Sequence, residues 1–148
     1  MNFDALDADL TTDEGLRLVV YDDATGKPIR PGTLVKGHPT IGIGRALDTH
    51  GLSRAEVSLL LENDTRQLAA ELASKLPWFS SLNDVRQRVL AEMAFQLGID
   101  GLLRFDGLMT FCRNGNFEAA TIAMLASKWA TQTPARAKHL AERMRTGA

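Results

Sequence analysis

Apolar residues recur at helical spacing along the middle of the chain, at Val57, Leu60, Leu61, Leu68, Leu72 and Leu76. Ahead of them stands Ser53-Arg54-Ala55-Glu56, a capping box in which the Ser hydroxyl and the Glu carboxylate satisfy free N–H groups at a helix start. The pattern predicts one long helix over about 53–75, stopped before Pro77 and roughly 35 Å long. A shorter amphipathic helix is predicted over 4–14, with Gly15 as its stop. Between the two the period changes. Leu16 to Tyr21 alternates and carries the strand-forming run Val19-Val20-Tyr21. Asp22 to Pro28 has turn chemistry, and 29–39, interrupted by Gly and Pro, reads as an irregular excursion. Thr40 to Arg45 returns as a strand whose Gly42 and Gly44 leave room for close approach. Helical periodicity resumes near 82–97, 102–113, 117–128 and 134–145, with Gly98, Gly101, Gly107 and Gly115 at the joints.

These elements describe an α+β chain, mostly helical, in a single domain. A small β-hairpin lobe is expected over about 15–52. The connecting helix follows over 53–75, and a larger helical lobe over 76–148 also takes the N-terminal helix. Such a length can bury a core without staples, which agrees with a lone cysteine, Cys112. That residue has no partner for an internal disulfide and reads as a small buried hydrophobe.

Charge adds an asymmetry. The net charge is −1, yet residues 1–100 hold ten Lys/Arg against fifteen Asp/Glu and residues 101–148 hold seven against three. A basic C-terminal part suits an anionic polymer or simply a solvated helical face. The near-neutral total, without a basic–aromatic motif, argues against nucleic-acid binding. The acidic start Met1-Asn2-Phe3-Asp4 is unlike a signal peptide, and no stretch approaches the roughly 20 apolar residues of a membrane span. Synthesis and accumulation in a cytoplasm are therefore expected. His38, His50 and His139 lack metal-ligand spacing, so neither metal nor cofactor is expected.

The chemistry concentrates near the start. Glu14 and Asp23 stand nine residues apart, one at a helix end and one in a turn, and the run Thr40-Ile41-Gly42-Ile43-Gly44 follows. Two carboxyls facing each other across a cleft are the minimal apparatus for cleaving a glycosidic bond. Spacing alone is weak, because acids about ten residues apart are common. The surrounding text strengthens it: Asp13-Glu14-Gly15-Leu16-Arg17-Leu18 before, Thr-Ile-Gly-Ile-Gly after, then Phe95-Gln96-Leu97-Gly98, Trp129, Gln132 to Lys138, and Arg145-Thr146-Gly147.

In this order, and over nearly the whole chain, these segments resemble the T-even phage lysozymes, the endolysins of glycoside hydrolase family 24. The resemblance implies a lysozyme-like two-lobe fold and a muramidase that hydrolyses the β-1,4 bond between N-acetylmuramic acid and N-acetylglucosamine. It implies Glu14 as general acid, Asp23 as second catalytic carboxyl and Thr40 as a hydroxyl that helps hold the attacking water. It further implies that Phe95, Gln96, Arg45 and Arg136 contribute to binding substrate or framing the cleft, with Arg136 close to Glu14. Family precedent favours inversion, for which the carboxyls stand about 6.5–9.5 Å apart. A proton donor is favoured by an apolar wall and opposed by an adjacent cation; Leu16, Leu18 and the Phe95 region are the candidates for that wall. The expected partner is peptidoglycan, met by a monomer in the periplasm after a separate membrane-permeabilising protein such as a holin has acted.

The chain also departs from the pattern. Seventeen positions separate Asp23 from Thr40 because of the 27–39 excursion, and Arg45 stands where a His usually follows Gly-x-Gly. The chain stops just after Arg-Thr-Gly, and its slight net acidity contrasts with strongly basic relatives. Two other readings compete with hydrolysis. A lytic transglycosylase works with one Glu and releases anhydro ends, and the presence of Asp23 and Thr40 argues against it. A binding module with a lysozyme fold needs no catalytic carboxyl, whereas both are present.

Overall fold

A computed structural model describes all residues, Met1–Ala148. The chain falls into two compact units, Met1–Ser58 and Leu59–Ala148, with the boundary inside the long helix. The N-terminal helix, assigned from sequence to the helical lobe, lies within the first unit.

In the first unit, helix α1 (Phe3–Glu14) starts at Asn2, whose side chain accepts a hydrogen bond from the Ala5 N–H. It ends where Gly15 adopts a φ of 72° and its N–H donates to the Thr11 carbonyl. None of its residues is buried. Strand β1 (Arg17–Asp22) follows directly, then β2 (Lys27–Pro28), β3 (Pro39–Gly42) and β4 (Arg45–Ala46). They form an antiparallel sheet in the order β2-β1-β3-β4. Where one strand was predicted over 40–45 there are two. Gly42 and Gly44 take φ values of 68° and 70°, a left-handed conformation that turns the chain back on itself.

Helix α2 (Arg54–Lys75) crosses from the first unit into the second. Its capping box forms as the sequence predicts: the Glu56 N–H donates to the Ser53 hydroxyl, and the Ser53 N–H donates to the Glu56 carboxylate. The apolar stripe is buried only towards the C-terminal end. Leu72 and Leu76 enter the core and Leu68 packs against it, while Val57, Leu60 and Leu61 stay exposed.

The second unit contains a 3₁₀ turn (Phe79–Ser81) and helices α3 (Asp84–Leu97), α4 (Ile99–Leu103), α5 (Asp106–Arg113), α6 (Phe117–Leu125), α7 (Lys128–Gln132) and α8 (Pro134–Thr146). The core rests on one face of α3 (Val89, Leu90, Met93, Ala94) and one face of α8 (Ala137, Leu140, Ala141, Met144). Both sets repeat every three or four residues, and each fully buried Leu or Met contributes about 1.5–3 kcal/mol. The helix predicted over 102–113 is divided, because Phe105 leaves helical dihedrals and starts α5. The helix predicted to 128 stops at Leu125, since Ser127 becomes a new N-cap, accepting from the Ala130 N–H to begin α7. Pro134 opens α8, a position at which its missing N–H costs nothing.

Candidate active site

Glu14 is the last residue of α1, and its solvent-exposed carboxyl lies against the β3–β4 turn. A Cβ placed on Gly44 would sit 3.3 Å from Glu14 Oε2 and 3.6 Å from Cδ, close enough that the carboxyl would have to give by a few tenths of an ångström. The apolar wall expected from Leu16 and Leu18 is not there. Both residues are exposed, at 62% and 81%, because β1 is buried only towards its Asp22 end.

Asp23 follows that end immediately. Its Oδ1 accepts a hydrogen bond of 2.6 Å from the His38 N–H, and its own N–H donates to the His38 carbonyl at 3.1 Å. Gly37 packs so tightly on Asp23 that an added Cβ would collide with Oδ1 and with the Ala24 backbone nitrogen.

Thr40 is brought to the same place by strand pairing. It stands opposite Tyr21, and Pro39 stands opposite Asp22, so the excursion returns beside the residue from which it departs. Thr40 is 3% exposed, and its hydroxyl donates to the His38 carbonyl at 3.1 Å. A hydroxyl that donates there keeps its lone pairs for a further donor, such as water. Asp23 and Thr40 are thus joined through one backbone unit, that of His38.

Asp22, the neighbouring acid at the end of β1, has a different environment. It is 2% exposed, and its carboxylate accepts from the N–H groups of Ala24 (3.1 Å), Lys36 (3.0 Å) and Gly37 (2.9 Å). These donors, Lys36 first, hold its pKa below the ordinary carboxylate value against the opposing effect of burial. Nothing in local composition marks this role. The Asp-Asp doublet and the glycine at 37 are the only sequence traces of it.

Arg45 forms a two-pronged ion pair with Glu56 and donates through Nε to the Gly51 carbonyl at 2.8 Å. It therefore ties β4 to the start of α2. The Glu56 pKa is lowered, chiefly by the Ser53 N–H and hydroxyl and further by Arg45. His38 pairs through Nδ1 with Asp48 at 2.9 Å, which raises the imidazole pKa and lowers that of the carboxyl.

The remaining candidates lie in the second unit. Phe95, 56% exposed, lines a hollow of about 510 Å³ with Leu61, Leu68, Arg88, Ala91 and Arg136. Phe95 and Arg136 therefore share one concave surface. Gln96 faces elsewhere, its Oε1 accepting from Trp129 Nε1 at 2.9 Å. Trp129 itself is buried in the core. No helix is long and apolar enough to cross a membrane.

Comparison with known proteins places this geometry in context. The family model described as phage lysozyme matches residues 11–146, a span that takes in Glu14, Asp23, Thr40 and the helices of the second unit. The chain is also 31% identical, over 93% of its length, to the pre-baseplate central spike protein Gp5 of Enterobacteria phage T4. It spans only 27% of that relative's length.

Proposed function

Because the chain belongs to the phage lysozyme family, we propose that it hydrolyses the β-1,4 bond between N-acetylmuramic acid and N-acetylglucosamine in peptidoglycan. The observation that carries this reading is that two carboxyls and a hydroxyl border one small sheet. The Glu14 carboxyl, at the end of α1, lies against the β3–β4 turn, and Asp23 and Thr40 are linked through the His38 backbone. In the proposed reaction Glu14 protonates the leaving oxygen. Asp23 draws a proton from water as that water attacks the anomeric carbon. Thr40 orients the water through the lone pairs of its hydroxyl. On the second unit, taken by itself, Phe95 and Arg136 share a concave surface whose flat apolar ring and cation suit a saccharide.

The biological setting proposed first is that of an endolysin, made in the host cytoplasm and reaching the periplasmic wall once a separate protein has opened the membrane. The similarity to a phage spike protein favours a second setting, local wall degradation during entry. The chemistry is common to both.

The test is Glu14→Gln, which removes the acid and nearly preserves shape. A positioned general acid contributes about 10²–10⁴-fold. Clearing of outer-membrane-stripped cells should fall within that range while the fold persists. Undiminished clearing would refute the role of Glu14. The released muropeptides should carry reducing ends; anhydro ends would replace hydrolysis with transglycosylation.

A further inference from the structure

Asp22 and Asp23 are adjacent in sequence and opposite in surroundings: one buried and triply hydrogen-bonded, the other exposed at the candidate site. We propose that Asp22 is a positioning residue for the reaction. Its carboxylate fixes the returning end of the excursion, and that end in turn holds Asp23 and Thr40 in place. The inference rests on the reading of Asp23 as the water-activating group.

The chain of contacts is continuous. Asp22 Oδ1 accepts from Ala24 and Gly37, and Oδ2 accepts from Lys36, so both oxygens are engaged and both ends of the loop converge on one carboxylate. Within 30–37, the hydrogen bonds that leave the loop all end on Asp22; the others, between Arg30 and Thr33, are internal to it. The next residue, His38, makes the contacts that matter to the site. Its N–H donates to Asp23 Oδ1, while its carbonyl accepts from the Asp23 N–H and from the Thr40 hydroxyl. Gly37, held by Asp22, is also the residue whose backbone presses on the Asp23 carboxylate.

A long excursion is entropically free to wander, and a wandering His38 would release both partners. Neutralising Asp22 weakens its three charge-assisted acceptor bonds at once. An amide in its place has a single acceptor oxygen, which leaves part of the N–H set without a partner. The loop end then loosens next to Asp23 without any change in the groups expected to touch substrate.

The test compares Asp22→Asn with Asp23→Asn and Glu14→Gln in purified protein, with purified peptidoglycan as substrate. For Asp22→Asn the expected result is cooperative melting, KM within about twofold of the parent and kcat lower by about 10–100-fold. That is the range for reacting groups displaced by up to about 1 Å. A merely structural role would lower the folded fraction and leave kcat per folded molecule unchanged. If kcat stays within twofold while Asp23→Asn is inactive, the positioning role is refuted and the proposed reaction stands. If Asp23→Asn is itself fully active, the reading of Asp23 falls and takes the inference with it. Should Asp22→Asn fail to fold, Asp22→Glu decides, because it keeps the charge while its longer side chain shifts the loop end that Asp22 holds and leaves Asp23 unchanged. A fall in kcat at constant KM then supports the inference, and an unchanged kcat overturns it.

Discussion

Gly44 is where the β3–β4 turn meets the proposed proton donor, and a matched pair of substitutions isolates that contact. Gly42 and Gly44 have nearly the same backbone conformation, with φ of 68° and 70°. Alanine at either position is strained by about 1–2 kcal/mol, the cost of a Cβ in left-handed backbone. For a chain of this length that lowers Tm by about 2–8 °C in both variants. The positions differ only in their surroundings. A Cβ at Gly42 meets nothing within 4 Å, whereas one at Gly44 meets Glu14 Oε2 at 3.3 Å, Cδ at 3.6 Å and Cγ at 3.8 Å.

The carboxyl in Gly44→Ala must therefore retreat by a few tenths of an ångström or rotate away. Misplacement of a reacting group by 1 Å costs about 10²-fold, so this smaller displacement should cost about tenfold in kcat. Gly42→Ala should retain the parent kcat per folded molecule. The assay is initial-rate hydrolysis of purified peptidoglycan, at a temperature where circular dichroism shows both variants fully folded. Equal kcat for the two variants would refute the argument, because strain would then be the only effect and the Glu14 contact would be irrelevant to turnover.

Three further outcomes are expected. Burial pushes the Cys112 thiol up to about 12, so at pH 8 only about one molecule in 10⁴ presents a thiolate; alkylation by iodoacetamide should be negligible in the native protein and rapid in denaturant. The His38–Asp48 pair raises the imidazole pKa and lowers the carboxyl pKa. The His38 contribution is thus complete below about pH 6.5 and lost as pH rises through the raised value, while that of Asp48 is lost as acid protonates it. The Tm difference between parent and Asp48→Asn, measured across pH, should peak between those limits; a difference that grows steadily above pH 8 would refute the pairing. Trp129→Phe removes the donor to Gln96 and should cost about 1 kcal/mol from that bond, read by urea denaturation; the same loss in a Gln96→Ala background would show that the bond contributes nothing.

How much of this was legible in sequence depended on how local each feature is. The capping box at Ser53 and Glu56 spans four residues and forms as read. The end of α1 at Glu14 and the turn after Asp22 are equally local, and both lie where the pattern puts them. The division at Phe105 and the extra helix α7 were missed because a helical period survives a one-residue change of dihedral. The arrival of Thr40 beside Asp23 depends on the ladder that sets Tyr21 against Thr40, a pairing across the whole excursion. Arg45 was visible as a cation, and Glu56 as a cap. That the two form one ion pair requires the β4 turn, which no local pattern encodes.

The Asp22-Asp23 doublet shows why register carries the chemistry. Successive strand residues point to opposite faces, so one of two adjacent acids at a strand end turns inward and the other outward. A slip of one residue would exchange them. The inner site offers three N–H groups to the carboxylate that enters it; emptied of a carboxylate, those donors would lose their partner. The outer site offers only the His38 N–H to the Asp23 carboxylate and leaves its remaining oxygen free for water. The same loop end, residues 36–38, builds both sites. The length that separates Asp23 from Thr40 in sequence therefore supplies the backbone that distinguishes a structural acid from the proposed chemical one.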